Sequence, residues 1–213
     1  MEKTKDNFLK FKKDFALAVK DKKRWLFCGL ELLIIGLLIV FDMLTKKYIY
    51  GYCDAVRDIK IIDKVIRFTA VENTGAGFGI LKNQTGALTA ISFISSIVLI
   101  IFIFYSYPRR NKLLRSALVM IIAGAIGNLI DRMVLGYVRD FVYFELIDFA
   151  IFNFADSFLT IGTALLIIYI LFFYSKEENE LMEKKKAAKA QADIEAKAQE
   201  AVKAKEQEDC EIK

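Results

Sequence analysis

The amino-acid sequence predicts an all-α membrane protein with four transmembrane helices, a small extracytoplasmic β-sheet and an aromatic-rich external loop. Composition is the first indication, because 55% of the 213 residues are hydrophobic although 27% are charged. Charge segregation is the second, since more than half of the charged side chains lie in residues 1–24 and 176–213. The third is four apolar runs, each near the roughly 20 residues that cross a bilayer. A soluble domain would distribute its charges more evenly.

The four apolar runs cover residues 25–41, 86–107, 113–135 and 156–174. We therefore expect a basic arm over residues 1–24, a membrane domain over 25–175 and a charged tail over 176–213. No small-x-small cleavage pattern follows the first run, which favours a retained span over a removed signal peptide. Most Lys and Arg residues lie in the two terminal segments and the loop between runs two and three. This bias predicts that both termini are cytoplasmic.

Two external segments follow from this topology, residues 51–85 and residues 133–152. Residues 59–71 of the first are β-branched and alternate imperfectly between apolar and polar side chains, which favours short strands in a small sheet. The second is dense in Tyr and Phe, which favours a position at the lipid headgroups. There it could cover a site that lies below it. The tail after residue 176 is rich in Ala, Lys and Glu and is predicted to be a solvated helix or disordered.

Composition also excludes several kinds of chemistry. The sequence has no histidine, which excludes Ser-His and Cys-His nucleophile pairs and His-ligated zinc. Cys28, Cys53 and Cys210 are too far apart in sequence for a C-x-x-C motif, so we expect no disulfide, no metal site and no cofactor. The net charge of +5 is explained by basic residues flanking the apolar runs, and we expect no nucleic-acid partner.

Polar residues inside the spans mark the candidate site, because each ionisable group at the bilayer centre costs roughly 2.5–3.5 kcal/mol. Helical rise places Asp42, Asp131 and Asp156 near the outer ends of their helices. Asn128 shares a helix face with Asp131 and Arg132. Asn153 shares one with Asp156, and Asp140 lies only 16 residues earlier in the connecting loop.

Two carboxylates at one site of low dielectric constant do not both ionise readily, so one keeps a proton. Such a pair can act as base and acid in one turnover, as in the aspartic proteases. The charged member deprotonates an attacking water, and the protonated member gives its proton to the leaving amine. This chemistry requires no cofactor.

Five motifs follow one another along the chain: residues 42–46 (DMLTK), 72–79 (ENTGAGFG), 124–132 (GAIGNLIDR), 138–141 (VRDF) and 152–157 (FNFADS). In this order they resemble the motifs of lipoprotein signal peptidase, the type II signal peptidase of bacteria. The resemblance covers roughly residues 25–175. It implies a four-helix aspartic peptidase of the bacterial inner membrane that removes the signal peptide before a diacylglyceryl-modified cysteine. Its implied partners are lipid-modified prolipoproteins, membrane lipid and a globomycin-type inhibitor, and its sheet would cradle the substrate at the outer face.

The resemblance also assigns residues to roles. Asp140 and Asp156 correspond to the catalytic pair. The implied substrate-orienting groups are Asn128, Arg132, Asn153 and Asn73, and the implied supporting groups are Asp42, Lys46 and Asp131.

Several of these residues also have a structural interpretation. Asp42 and Lys46 are four residues apart on one helix face, so an ion pair that fixes the first helix is as good an explanation as a contribution to catalysis. Asp131 with Arg132 can form an interfacial pair, and the two asparagines can join helices through hydrogen bonds. Glu31 is expected to make a polar contact between helices.

Arg139 departs from the family pattern, because an apolar residue is common beside the first catalytic aspartate. A nearby cation would favour the charged form of Asp140 and would suggest Asp140 as the base.

Two other functions fit a membrane protein of this kind. The intramembrane carboxylates could belong to a small proton-coupled carrier, although no relay of ionisable groups continues toward the cytoplasm. A scaffold recruited through the charged tail is the second alternative.

Overall fold

The computed structural model describes residues 22–75, 84–105 and 111–184, with residues 186–188, 190, 191 and 194. Four helices in these ranges are long and apolar enough to cross a membrane, which confirms the predicted set. They are α1 (Lys22–Thr45), α3 (Thr85–Tyr105), α4 (Lys112–Leu135) and α5 (Phe154–Phe172). The predicted arm before residue 22, the part of the second motif after Gly75 and the tail beyond residue 194 lie outside the described residues.

The first helix is longer than its apolar run. It continues from α1 through a π-helical turn (Lys46–Tyr50) into α2 (Gly51–Ala55), so that 34 residues are helical without interruption. At 1.5 Å per residue this length is about 51 Å, well beyond the ~30 Å of bilayer hydrocarbon. One face of this helix is buried along its length, including Asp42, Lys46, Tyr50 and Cys53. The first part of the segment predicted as external is therefore helical.

A three-stranded antiparallel sheet contains β1 (Ile59–Ile62), β2 (Ile66–Asn73) and β3 (Val138–Phe144), in that order. The first two strands confirm the expectation for residues 59–71. The third lies in the segment that was expected to be an aromatic loop, and Val71 of β2 pairs with Asp140 of β3. Val138, Asp140, Phe141 and Val142 are all buried, so the alternation that marks a half-exposed strand is absent from β3.

Local signals fix where α4 begins and ends. The Asn111 side chain accepts a hydrogen bond from the Leu113 amide (2.9 Å) and caps its start. Gly136, with φ of +83°, follows its last residue, and its amide donates to the Arg132 carbonyl (3.2 Å). A glycine adopts this left-handed conformation without a steric penalty. Because β3 begins two residues later, this cap links the end of α4 directly to the strand that carries Asp140.

The helix bundle is joined at its other end by a buried ion pair between Glu31 of α1 and Arg115 of α4. Arg115 Nε donates to Glu31 Oε1 (2.6 Å), and its Nη1 donates to the Ile103 carbonyl of α3 (2.6 Å). One guanidinium thus connects three helices, and the expected helix contact of Glu31 is confirmed.

The chain divides into two compact units, Met1–Ile167 and Ile168–Lys213. The first contains the sheet and nearly all of the four helices. In the second, the Tyr169 hydroxyl donates to Glu177 (2.8 Å), and residues 174–184 are helical and mainly exposed.

The close approach of α4 to the start of α5 depends on glycines. A Cβ at Gly124 would overlap the backbone carbonyl oxygen of Ala155, and one at Gly127 would lie 2.6 Å from Asp42 Oδ2. Both sites are closed to any side chain unless the helices move apart.

Gly124→Ala should destabilise the protein by about 1–3 kcal/mol, because the added methyl group overpacks a backbone contact. Thermal unfolding in detergent measures the effect. Gly36→Ala on α1 is the matched control, since its Cβ would meet nothing within 4 Å. The control should retain wild-type stability or gain up to about 1 kcal/mol. Equal unfolding midpoints for the two variants would contradict this account.

Candidate active site

Asp140 is buried on β3, with both carboxylate oxygens bound by side-chain amides. Asn73 Nδ2 from the neighbouring strand β2 donates to Asp140 Oδ2 (2.9 Å). Asn153 Nδ2 donates to Asp140 Oδ1 (2.6 Å). Only 1% of Asp140 is exposed. The uncharged amides of Asn73 and Asn153 therefore supply the hydrogen bonds that water would supply to an exposed carboxylate.

Asp156 belongs to the first turn of α5. Its Oδ2 accepts from the Asn153 backbone amide (3.2 Å), and Asn153 Oδ1 accepts from the Asp156 amide (3.0 Å). This reciprocal pair is a capping box, in which the residue before the helix and the third helical residue bind each other's backbone. The other oxygen, Oδ1, accepts from Asn128 Nδ2 (2.7 Å). The amide donors and the helix N-terminus both favour a negative charge at Asp156.

Asn153 is the residue that joins the two carboxylates. Its side chain binds Asp140, its backbone amide binds Asp156, and its Nδ2 also donates to Asn128 Oδ1 (3.1 Å). Asn153 is fully buried. The sequence predicted that these four residues would converge, and the structure brings them into one hydrogen-bonded network.

Lys46 is a fully buried cation next to this network. Its Nζ donates to Asn128 Oδ1 (3.0 Å) and is 2.8 Å from Asp42 Oδ2 and 3.5 Å from Asp131 Oδ2. Asp42 Oδ1 in turn accepts from the Ala155 amide (2.9 Å), in the first turn of α5. The Asp42–Lys46 ion pair thus connects α1 to the start of α5.

Arg139 does not contact Asp140, which corrects the sequence expectation. Its guanidinium forms a two-pronged interaction with Asp131, with Nη2 to Oδ1 at 2.7 Å and Nε to Oδ2 at 3.3 Å. Consecutive residues of a strand point to opposite faces, which places the arginine away from the neighbouring carboxylate. The Asp131–Arg132 pair considered from sequence is likewise replaced by Asp131–Arg139.

The surroundings of Asp140 also act against that expectation. Burial, followed by the negative charge of Asp156, raises the pKa of Asp140 to about 7 from its ordinary value of 3.8. Hydrogen bonds from Asn73 and Asn153 and the charge of Lys46 act in the other direction but are smaller. The argument that Arg139 makes Asp140 the charged base is therefore wrong, because Arg139 binds Asp131 and burial favours the neutral form of Asp140.

Arg132 and Asn73 lie at one end of the network. Arg132 Nη2 donates to the Gly75 carbonyl (2.9 Å), while the Gly75 amide donates to Asn73 Oδ1 (2.9 Å). Both side chains line the same cavity as the two carboxylates. All nine residues singled out from the sequence are thus linked by hydrogen bonds or ion pairs.

The cavity has a volume of about 580 Å³, and most of its wall is apolar. Besides the polar residues already named, its lining includes Phe144, Ile147, Phe149, Phe152, Leu159 and Ile161. Sequence reasoning missed these apolar residues as part of the site, because nothing distinguishes them locally from core or headgroup aromatics. Among the residues that the structure describes, no three His, Cys, Asp or Glu side chains are grouped to hold a metal ion.

Comparisons with known proteins identify the family. The profile of Peptidase_A8, described as signal peptidase (SPase) II, matches residues 17–172. The chain belongs to the signal peptidase II family. A lipoprotein signal peptidase of Clostridioides difficile (strain 630) is 40% identical over 148 residues, which are 69% of this chain and 98% of that protein. Another, from Clostridium tetani (strain Massachusetts / E88), is 39% identical over 145 residues, 67% of this chain and 92% of that protein.

Solved structures of bacterial membrane enzymes share this fold. One bacterial membrane enzyme aligns with a TM-score of 0.60 at 34% identity, covering 67% of this chain and 88% of its own. A second aligns with a TM-score of 0.57 at 34% identity, covering 68% and 94%. The sequence resemblance is thereby confirmed, and this signal peptidase II chain is a bacterial membrane protein.

The raised pKa of Asp140 predicts a pH-dependent stability for this signal peptidase II chain. A carboxyl group that binds its proton more tightly when folded contributes stability below its unfolded pKa of about 3.8. That contribution is lost as pH rises to about 7, and its upper limit is about 4 kcal/mol. Asp140→Asn carries no charge at any pH and lacks this dependence.

Thermal unfolding of the wild type and of Asp140→Asn between pH 4 and pH 8 measures the difference. The midpoint of the variant should rise relative to that of the wild type as pH increases. A constant offset from altered hydrogen bonds leaves this slope unchanged. If the difference between the two unfolding midpoints does not vary with pH, folding does not raise the pKa of Asp140, and the prediction is wrong.

Proposed function

We propose that this protein is an aspartic endopeptidase that removes the signal peptide from diacylglyceryl-modified prolipoproteins, cutting before the lipidated cysteine. The observation that carries the proposal is the junction of Asp140 and Asp156 through Asn153 at the wall of one cavity. The names of the lipoprotein signal peptidases that it resembles supply the substrate class.

The two carboxylates divide the chemistry between them. Asp140 holds the proton near neutral pH, and Asp156 is the charged base. Asp156 takes one proton from a water whose oxygen forms a bond to the scissile carbonyl carbon. As the carbon–nitrogen bond of the tetrahedral intermediate breaks, Asp140 gives its proton to the leaving amine. The pair ends with one proton, now on Asp156, and returns to its starting state by proton exchange.

The remaining polar groups of the cavity orient the substrate. Arg132 and Asn73 present N–H donors suited to peptide carbonyl oxygens, and Asn128 and Asn153 hold the carboxylates in position. Asp42, Lys46 and Asp131 support this layer from beneath. The apolar wall accommodates a signal-peptide segment, and the same wall is the proposed site of a globomycin-type inhibitor.

Membrane depth explains the need for a lipidated substrate. A diacylglyceryl anchor contributes roughly 0.8 kcal/mol per buried CH₂ and holds the scissile bond at the bilayer surface. In the proposed topology both termini are cytoplasmic and the cavity opens at the outer face of the inner membrane, where the sheet cradles the substrate. No observation favours the proton-coupled carrier or the scaffold over the peptidase, and family membership favours the peptidase.

Replacing either carboxylate should abolish cleavage. Asp140→Asn and Asp156→Asn each remove one partner of the acid–base pair, so kcat should fall at least about 100-fold. Cleavage of a diacylglyceryl-modified prolipoprotein in detergent, followed by gel mobility, measures the loss. Asp63→Asn is the matched control, because that carboxylate is exposed in the turn between β1 and β2.

The control variant should cut at the wild-type rate, and all variants should show wild-type circular dichroism. Full activity in either Asp140→Asn or Asp156→Asn would overturn the assignment of the pair. A wild-type protein that never cuts the lipidated substrate would overturn the peptidase function itself.

A further inference from the structure

Lys46 is a buried cation that does not line the cavity, and its contacts lead to the candidate catalytic pair. Its side chain is completely buried at the start of the π-helical turn that follows α1, and Lys46 is not among the residues that line the cavity. An ammonium group has three N–H donors, and three acceptors surround this one: Asp42 at 2.8 Å, Asn128 at 3.0 Å and Asp131 at 3.5 Å. The contact to Asn128 is the one that reaches the site.

The orientation of the Asn128 carboxamide follows from this contact. Lysine only donates, so the Asn128 atom facing Lys46 must be the oxygen. The amide nitrogen then faces Asp156 and donates to Oδ1 (2.7 Å). With the carboxamide reversed, its NH₂ group would face the ammonium and its oxygen would face the carboxylate. Lys46, together with Asn153 Nδ2, which donates to the same oxygen (3.1 Å), therefore selects the orientation in which Asn128 stabilises a charged Asp156.

We propose that Lys46 is a positioning residue that acts through Asn128 to set the pH range in which the Asp140–Asp156 pair holds a single proton. The proposal rests on the proposed peptidase function. The positive charge also lowers the electrostatic cost of the one negative charge on the pair, since it lies only two hydrogen bonds away in a buried site.

The other charges near the pair do not replace Lys46. From α4 come Asp131 and Arg132, from α1 Asp42, from β3 Arg139 and from β2 the exposed Glu72. Arg139 is neutralised by Asp131. Arg132 also acts on the pair through its charge, but its hydrogen bond goes to the Gly75 carbonyl at the cavity wall and not to Asn128. α5 contains no charged residue besides Asp156, and α3 contains none. Lys46 is thus the cation joined to Asp156 through an asparagine.

The test is the pH profile of kcat/KM on a diacylglyceryl-modified prolipoprotein. The wild type should give a bell-shaped profile with its alkaline limb near pH 7, where Asp140 loses its proton. Lys46→Met removes a charge that favours the anionic forms of the pair. Both limbs should therefore move to higher pH, by about one unit.

Two further variants separate charge from folding. Lys46→Met combined with Asp42→Asn removes the ion pair as a neutral unit and leaves no carboxylate unpaired, so it is expected to fold. Its limbs should shift in the same direction by a smaller amount, because Lys46 is the partner nearer to Asn128. Lys46→Arg keeps the charge, and its limbs should stay at the wild-type pH even if kcat falls.

The Glu31–Arg115 ion pair offers a matched control on the same two helices. Arg115 lies 16 residues before Asp131, about 24 Å along α4. Glu31→Gln combined with Arg115→Met should lower the unfolding midpoint and leave both limbs in place.

Either of two outcomes would overturn the proposal. One is a folded, active Asp42→Asn/Lys46→Met variant whose limbs coincide with those of the wild type, because lost kcat with an unmoved profile is a purely structural effect. The other is failure of every Lys46 variant to fold while the Glu31/Arg115 control folds. A wild type that does not cut the substrate at all refutes the peptidase function instead, and that result is seen before any Lys46 variant is compared.

Discussion

Two carboxylates, the buried Asp140 and the half-buried Asp156, belong to one hydrogen-bonded network in this protein, and the groups around them offset the cost of that arrangement. A buried charge costs several kcal/mol unless it is compensated, and a second charge nearby adds repulsion. Asn73, Asn128 and Asn153 compensate with amide donors that carry no net charge. A cation bound directly to Asp140 would favour its ionised form and leave it no proton to give. Neutral donors satisfy its oxygens without adding that charge, and burial raises the pKa of Asp140 to about 7.

Two cations near the site, Lys46 and Arg139, bind neighbours of the Asp140–Asp156 pair and not the pair itself. Lys46 contacts Asn128 and two other carboxylates, and Arg139 contacts Asp131 from the opposite face of β3. This arrangement balances the charges of the region, while the candidate catalytic oxygens accept hydrogen bonds only from amides in the part of the chain that the structure describes. The ion pairs therefore balance the charges of the region, and the asparagine amides fix the positions of the two candidate catalytic carboxylates.

Close helix packing allows the ion pairs and the amide hydrogen bonds to form together. Asp42 reaches the Ala155 amide because Gly127 has no side chain in its path, and Gly124 allows the Ala155 carbonyl to approach α4. Two sets of contacts thereby hold the first turn of α5. Asp42 accepts from the Ala155 amide, and the Asn153–Asp156 capping box binds the helix start to itself. A shift of this turn by even a few tenths of an ångström would move Asp156 relative to Asp140, which belongs to a different element.

Much of this could be read from the sequence, for local reasons. Apolar runs of membrane-spanning length predict helices regardless of their neighbours, and the order of five motifs identified Asp140 and Asp156 before any geometry was known. The strand β3 escaped because it is buried on both faces, which removes the alternation that reveals strands. The partner of Arg139 escaped because adjacency in sequence places two strand residues on opposite faces. The extension of α1 escaped because charged residues such as Asp42, Lys46 and Lys47 interrupt the apolar run.

The sequence by itself thus determined the four helices, the two candidate catalytic aspartates and the family, because these depend on local hydrophobicity and on motif order. Only the tertiary structure decided which donors satisfy each carboxylate, which cation faces which anion and how far burial raises the pKa of Asp140. Those properties depend on distances between residues as many as 113 positions apart, such as Asp42 and Ala155. No local pattern encodes such distances, since they are set by how closely the packed helices and the sheet approach one another.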